Sequence, residues 1–201
     1  MVGIISAITI PTVVKHYQER LTVNKVKKFY SMMSQAYMLS VKDNGYANEW
    51  NVGNGLNSTT ANQIANYIKP YLRIIKDCNI NSGCLNYKTN LKCLNGSSAS
   101  HNYDTEHIYY KIITADGSYI WWRGADSYCI TTEGNVSNVC SAIFYDINGN
   151  KEPNTVGKDI FLVYITPLGL KTRDNCAYNN NGWGCLGFIL KNNNMNYPLN
   201  E

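Results

Sequence analysis

From Leu21 onward, apolar residues recur in alternating steps of three and four: Val23, Val26, Tyr30, Met33 and Tyr37, with Ser40 closing the series. Phe29 and Ala36 widen the stripe. Residues spaced this way share one face of a helix, so the pattern predicts an amphipathic helix with one buried side. Asp43-Asn44-Gly45 supplies the stop. Upstream, Val2 to Val14 carries no charge and only Ser6, Thr9 and Thr12 as polar interruptions. As helix this run extends roughly 20 Å, against about 30 Å of hydrocarbon in a bilayer. Alone it is too short to span. Pro11 sits between the runs and should kink the helix or loosen one turn, because its ring displaces a backbone hydrogen bond. A helix from Val2 to Lys42 would be roughly 60 Å long. A domain of this size is not so wide. Part of the helix is therefore expected to project, into a bilayer or into a bundle made by other chains.

Beyond the loop at Asn51–Thr60, a short helix is expected over Ala61–Lys76, with Ile64, Ile68, Leu72 and Ile75 on one face and Pro70 bending it. Cys78–Ser100 is polar and cysteine-bearing, too rich in Asn and Ser to be core. The period then changes. His107–Thr114 and Ser118–Arg123 are strand-like and flank Ala115-Asp116-Gly117, a hairpin signal. Further strand-like runs lie at Ser127–Thr131, Ala142–Ile147, Ile160–Ile165 and Leu186–Lys191. Short turns between such runs imply an antiparallel sheet. The expected fold class is α+β. Residues 1–45 form the long helix, with an apolar anchor at 2–14 and an amphipathic half at 15–42. Residues 46–201 form a globular head with disulfide-rich loops.

Charge and chemistry narrow the function. Charged residues are 16% of the chain and the net charge is +4, short of the basic stripe of a dedicated nucleic-acid binder. Lys15, His16, Arg20, Lys25, Lys27 and Lys28, against Glu19 alone, form a basic collar between the two helix halves. It suits lipid phosphates, DNA or an acidic neighbour, or is simply a solvated helix face. Three histidines (His16, His101, His107) offer no zinc spacing. No G-x-S-x-G elbow occurs, and Asp104, Glu106 and His107 are better explained as polar loop residues. Trp121-Trp122 fits core and sheet surface. No enzyme is expected. Seven cysteines contain no C-x-x-C, and an exported, disulfide-bonded domain accounts for them better than reduced thiols. Short separations suggest Cys78–Cys84, Cys129–Cys140 and Cys176–Cys185 with Cys93 spare, although spacing alone leaves other connectivities open.

The apolar run ending in Ala7-Ile8-Thr9-Ile10-Pro11 and leading into an amphipathic helix resembles the type IV pilins and the pseudopilins of type II secretion. The second half also resembles a prepilin-like group, through Asp146-Ile147-Asn148-Gly149, Pro153-Asn154, Gly157-Lys158-Asp159-Ile160-Phe161, Gly182-Trp183-Gly184-Cys185 and Asn194-Met195-Asn196-Tyr197. The resemblance covers the first forty residues and roughly residues 107–199. It implies a pilin-like fold, the long helix packed on an antiparallel head. It also implies a structural subunit of a type IV pilus or type II secretion pseudopilus. Its partners would be the inner membrane and then other pilin or pseudopilin subunits, bound through the helix, with the head outside the cytoplasm and finally at the bacterial surface. The alternative is a minor pilin that binds DNA or another surface on the same scaffold. Prepilins carry a basic leader, a cleavage site and a Glu early in the apolar run. Here Met1-Val2-Gly3 already falls inside that run, so no prepilin processing is expected of this form.

One cluster has metal-like spacing: Asp146, Asn148 and Asn150 at alternate positions, closed by Asp159. Calcium takes about six to eight oxygen ligands, which such a Gly-bearing turn can begin to supply. It is not an EF-hand, because Gly149 falls at the fourth place and Gly157 stands where the bidentate Glu belongs. Calcium loops in the β region of some pseudopilins add to the expectation. The competing expectation is an Asx-rich turn whose side chains cap their own backbone.

Overall fold

The structure, a computed structural model, describes residues 2–87 and 90–199, with side chains from Val13 onward. Helix α1 runs Val2–Asn44 without a break at Pro11. At about 1.5 Å per residue its 43 residues extend roughly 65 Å. Gly45 adopts φ 78° and donates its N–H to the Val41 carbonyl at 2.9 Å. That left-handed turn closes the helix, and glycine adopts it without steric conflict. The expected stripe is buried: Val23, Val26, Phe29, Met33, Ala36, Tyr37 and Ser40. Tyr30 is partly buried and donates its hydroxyl to the Leu170 carbonyl. Of the expected anchor, the side chains of Val2–Thr12 lie outside the described residues.

Eight strands follow among the described residues: β1 (Ile74–Asn79), β2 (Tyr110–Thr114), β3 (Tyr119–Gly124), β4 (Thr131–Glu133), β5 (Val136–Val139), β6 (Ser141–Asp146), β7 (Ile160–Thr166) and β8 (Gly169–Lys171). Six of them form one sheet in the order β1-β2-β3-β6-β7-β8, antiparallel throughout, while β4 and β5 make a separate ribbon. The molecule is α+β, a long helix laid on an antiparallel sheet. Helix α2 (Ser58–Ile68) and helix α3 (Cys185–Asn192) pack beside α1 on the same face. Gly124 permits the close approach of α2, since a Cβ there would meet the Thr60 side chain.

The sheet is buried on both faces. Trp121 and Trp122 point to opposite sides, as neighbours on a strand must, and both are wholly buried. Trp122 donates to the Ala61 carbonyl of α2 at 3.0 Å, within a core that includes the α1 stripe. Phe29 stacks on Tyr145 with ring centroids 3.8 Å apart. Trp121 belongs to a second core with Tyr103, Tyr109, Phe144, Leu162 and Tyr164. Neither Trp lies on the sheet surface. The segment Cys78–Ser100, expected to stay outside the core, supplies Leu85 and Leu91 to this second face, and Tyr103 just after it adds to them.

Three elements differ from expectation. The helix predicted over Ala61–Lys76 ends at Ile68; Pro70 sits in a short 3-10 turn, and residues 74–79 instead pair with β2 as an edge strand. Ile75 is thereby exposed. Backbone pairing to the sheet edge outweighs a four-residue apolar spacing. Leu186–Lys191, expected as a strand, lies in α3; Leu186 and Ile189 face inward three residues apart, and Asn193 closes the helix at φ 60°. A short apolar run has no period of its own to decide this. Ser127–Thr131 is largely loop, with Cys129 at φ 57° in its disulfide to Cys140 and with Tyr128 and Ile130 exposed.

Phe29→Ala should lower unfolding free energy by about 3–5 kcal/mol, because it removes a buried ring from a filled site. Val13, 66% exposed, should tolerate alanine within about 0.5 kcal/mol. Urea unfolding with the disulfides intact measures both.

Candidate functional site

The loop from β6 to β7 brings two of the sequence-predicted carboxylates together. Asp146 ends β6 opposite Ile160, and the Ile147 N–H donates to the Asp159 carbonyl at 3.0 Å. Both aspartates are buried. Asp146 accepts from the Asn148 N–H at 3.0 Å and from the Tyr87 hydroxyl at 2.8 Å. Asp159 accepts from the N–H groups of Asn154 and Thr155, at 2.8 and 2.6 Å, and from the Asn148 amide at 3.4 Å. Asn148 thus joins the pair, whereas Asn150 is exposed.

Burial, with the charge of Asp159 adding to it, pushes the Asp146 carboxyl up to about 8. Burial likewise pushes Asp159 up to about 6. Burial and the closeness of the two carboxyls thus favour a proton on the pair over two full negative charges. Two further oxygens stand near this pair without partners, Asn148 Oδ1 and Asn154 Oδ1, both buried. Asn154, itself buried and at φ 47°, was not among the sequence candidates. Two carboxylates and two carboxamide oxygens are a hard-oxygen set suited to calcium, with backbone or water left to complete it. The same carboxylates also cap the loop's N–H groups. Among the described residues no three His, Cys, Asp or Glu gather as a metal cluster. Lys25 of α1 donates to the Ile147 carbonyl at 3.1 Å, so this loop is fastened to the helix.

The basic collar is partly consumed in that docking. Besides Lys25, Lys27 reaches Asn193 Oδ1 at 2.7 Å and Lys28 lies 3.9 Å from Asp116. Lys15 and His16 both approach Glu19. In contrast, Val13, Val14, Tyr17 and Leu21 of α1 are exposed. No helix among the described residues is long and apolar enough to cross a membrane.

Elsewhere the polar candidates hold the backbone. Asp104 accepts from the N–H groups of Gly83, Cys84 and Leu85, while Glu106 accepts from the Asn102 N–H and meets His101 at 3.0 Å. Cys78–Cys84, Cys129–Cys140 and Cys176–Cys185 are bonded, and Cys93 is free and buried. Arg123, Glu133 and Arg173 gather around a cavity on the second face of the sheet, unseen in the sequence because they are distant along the chain.

The model of a family described as "Family of unknown function (DUF6613)" matches residues 12–185. The chain belongs to this family. The DUF6613 match takes in the amphipathic half of α1, all eight strands and, at its end, Cys185. No characterised protein and no solved structure matches this DUF6613 chain.

The aspartate pair sets a pH dependence. Both folded values lie above the ordinary carboxylate range, so the folded state holds these protons more tightly than the unfolded chain. The resulting stabilisation is full below about pH 4 and is lost as pH passes about 6 and then about 8. Thermal unfolding should show that decline, and Asp146→Asn should remove its upper part. Millimolar calcium that cancels the decline identifies a cation loop; a decline unmoved by calcium identifies a self-capped turn.

Proposed function

We propose that this protein is a structural, non-enzymatic subunit with a pilin-like fold, assembling with other subunits through its N-terminal helix in a type IV pilus or type II secretion pseudopilus. The observation that carries the proposal is the division of α1. Its stripe from Val23 to Ser40 is seated on the sheet, whereas Val13, Val14, Tyr17 and Leu21 meet solvent on a helix that continues past the head. Large apolar side chains along one projecting helix are a surface for other helices or for lipid. The residues before them, Val2 to Thr12, are uncharged in sequence. The location that follows is the bacterial inner membrane, with the head outside the cytoplasm, and later the fibre. Calcium enters as a loop ligand, held by Asp146, Asp159, Asn148 and Asn154. DNA binding by the collar has less support, since Lys25, Lys27 and Lys28 already contact the head.

Deleting residues 1–20 should leave a soluble, folded monomer, because the buried stripe begins at Val23. The full chain should self-associate in light scattering. Val14→Asp together with Tyr17→Asp should weaken that association without moving the melting temperature. A monodisperse full chain, or a deletion product that cannot fold, would show that the helix tip is not an assembly surface.

A further inference from the structure

A cavity of about 300 Å³ lies between the second face of the sheet and the loop that follows Cys78, at the small end of ligand pockets. Arg123 of β3 faces it on the same side as Trp121. Glu133 of β4 bridges Arg123 and Arg173, with Oε1 2.7 Å from one guanidinium and Oε2 3.0 Å from the other. The three side chains are only 15%, 21% and 18% exposed, in the order Arg123, Glu133, Arg173. Two partly buried cations therefore share one carboxylate, leaving one positive charge in surplus. Glu106, whose charge also reaches Tyr103 and Tyr109, is already engaged by His101 and the Asn102 N–H.

Hydrogen bonding is in surplus on the donor side as well. The Tyr164 hydroxyl and Arg173, which interact with each other, both line the cavity, and neither the hydroxyl nor Arg173 Nε makes a well-formed hydrogen bond. Orphan polar atoms in a folded protein mark a missing water, ion or ligand group. The Arg173 guanidinium stands 5.4 Å over the Tyr164 ring, which fixes its orientation. Helix α3 backs this arginine closely, since a Cβ at Gly187 would run into the Arg173 carbonyl. The rest of the wall is aromatic. Phe144, Tyr103 and Trp183 form a triangle of rings, with the Phe144 centroid 5.4 and 5.3 Å from the other two and those two 6.4 Å apart.

We infer that this cavity binds a small ring compound bearing one carboxylate, independently of how the helix assembles. A monoanion balances the surplus charge, whereas a dianion overshoots it. The planar guanidinium matches a carboxylate, and the aromatic wall takes a ring. The volume admits one ring.

The full chain is titrated with benzoate and glucuronate, which present a carboxylate on an aromatic and on a sugar ring. Benzyl alcohol and methyl glucoside are their neutral counterparts, and inorganic phosphate tests for general anion binding. At least one carboxylate should quench tryptophan fluorescence saturably, with affinity roughly tenfold or more above its neutral counterpart. The preferred ring identifies the source. Arg173→Gln should lose that binding, and Arg173→Lys should weaken it, because an ammonium lacks the planar fork. Should Arg173→Gln fail to fold, Trp183→Ala tests the ring side of the cavity and should weaken whichever carboxylate the wild type binds. Failure of both carboxylates to saturate, equal binding of the neutral rings, or tighter binding of phosphate would overturn the assignment. So would wild-type affinity in a folded Arg173→Gln variant.

Discussion

Strands β6 and β7 are buried at every residue, so neither face of the central sheet can meet water. An antiparallel sheet commonly leaves one face solvated; this one requires two covers. The first is α1, whose Val23–Tyr37 stripe meets the inner residues of β6 and β7, with Phe29 against Tyr145 at its centre. The second is assembled from loop. Lys111, wholly buried on β2, donates to the carbonyls of Ile80 and Asp104, while Asp104 gathers three N–H groups of the same segment. A buried lysine is tolerable only with such partners. It pins a polar, asparagine-rich loop over an aromatic core.

The two covers were not equally legible in the sequence. A helix writes its buried face at a fixed spacing, so the α1 stripe could be read residue by residue. Strands β6 and β7 were visible as apolar runs because both faces are buried. The second cover left no such trace. Leu85, Leu91 and Tyr103 enter the core singly from irregular backbone, where no period exists to count. The edge strand at Ile74–Asn79 was hidden for another reason: its place is set by register against β2, a partner more than thirty residues away.

The same distinction governs the sites. Asp146, Asn148 and Asp159 lie within one loop, so local spacing exposed them. Tyr87, nearly sixty residues away along the chain, joins the cluster only after the chain folds, and Asn154, though it lies in the same loop, falls outside the alternate spacing of Asp146, Asn148 and Asn150 that drew attention to it. Arg123, Glu133 and Arg173 meet because β3, the β4–β5 ribbon and the chain after β8 converge on one face. Arginines scattered through a mildly basic chain carry no local signal that they will share a carboxylate.

The placement of the cysteines has a mechanical consequence. No cysteine precedes Cys78, and the three disulfides close loops of 6, 11 and 9 residues. None crosses from α1 to the sheet. A force applied along α1 is therefore carried to the head by side-chain packing and by hydrogen bonds such as Lys25 to Ile147 and Tyr37 to Pro167. Pulled lengthwise, these contacts share the load in shear; pried sideways, they yield in turn. The head would then shed its helix without a covalent bond breaking, still tethered through the chain after Asn44, and could seat itself again once the tension fell.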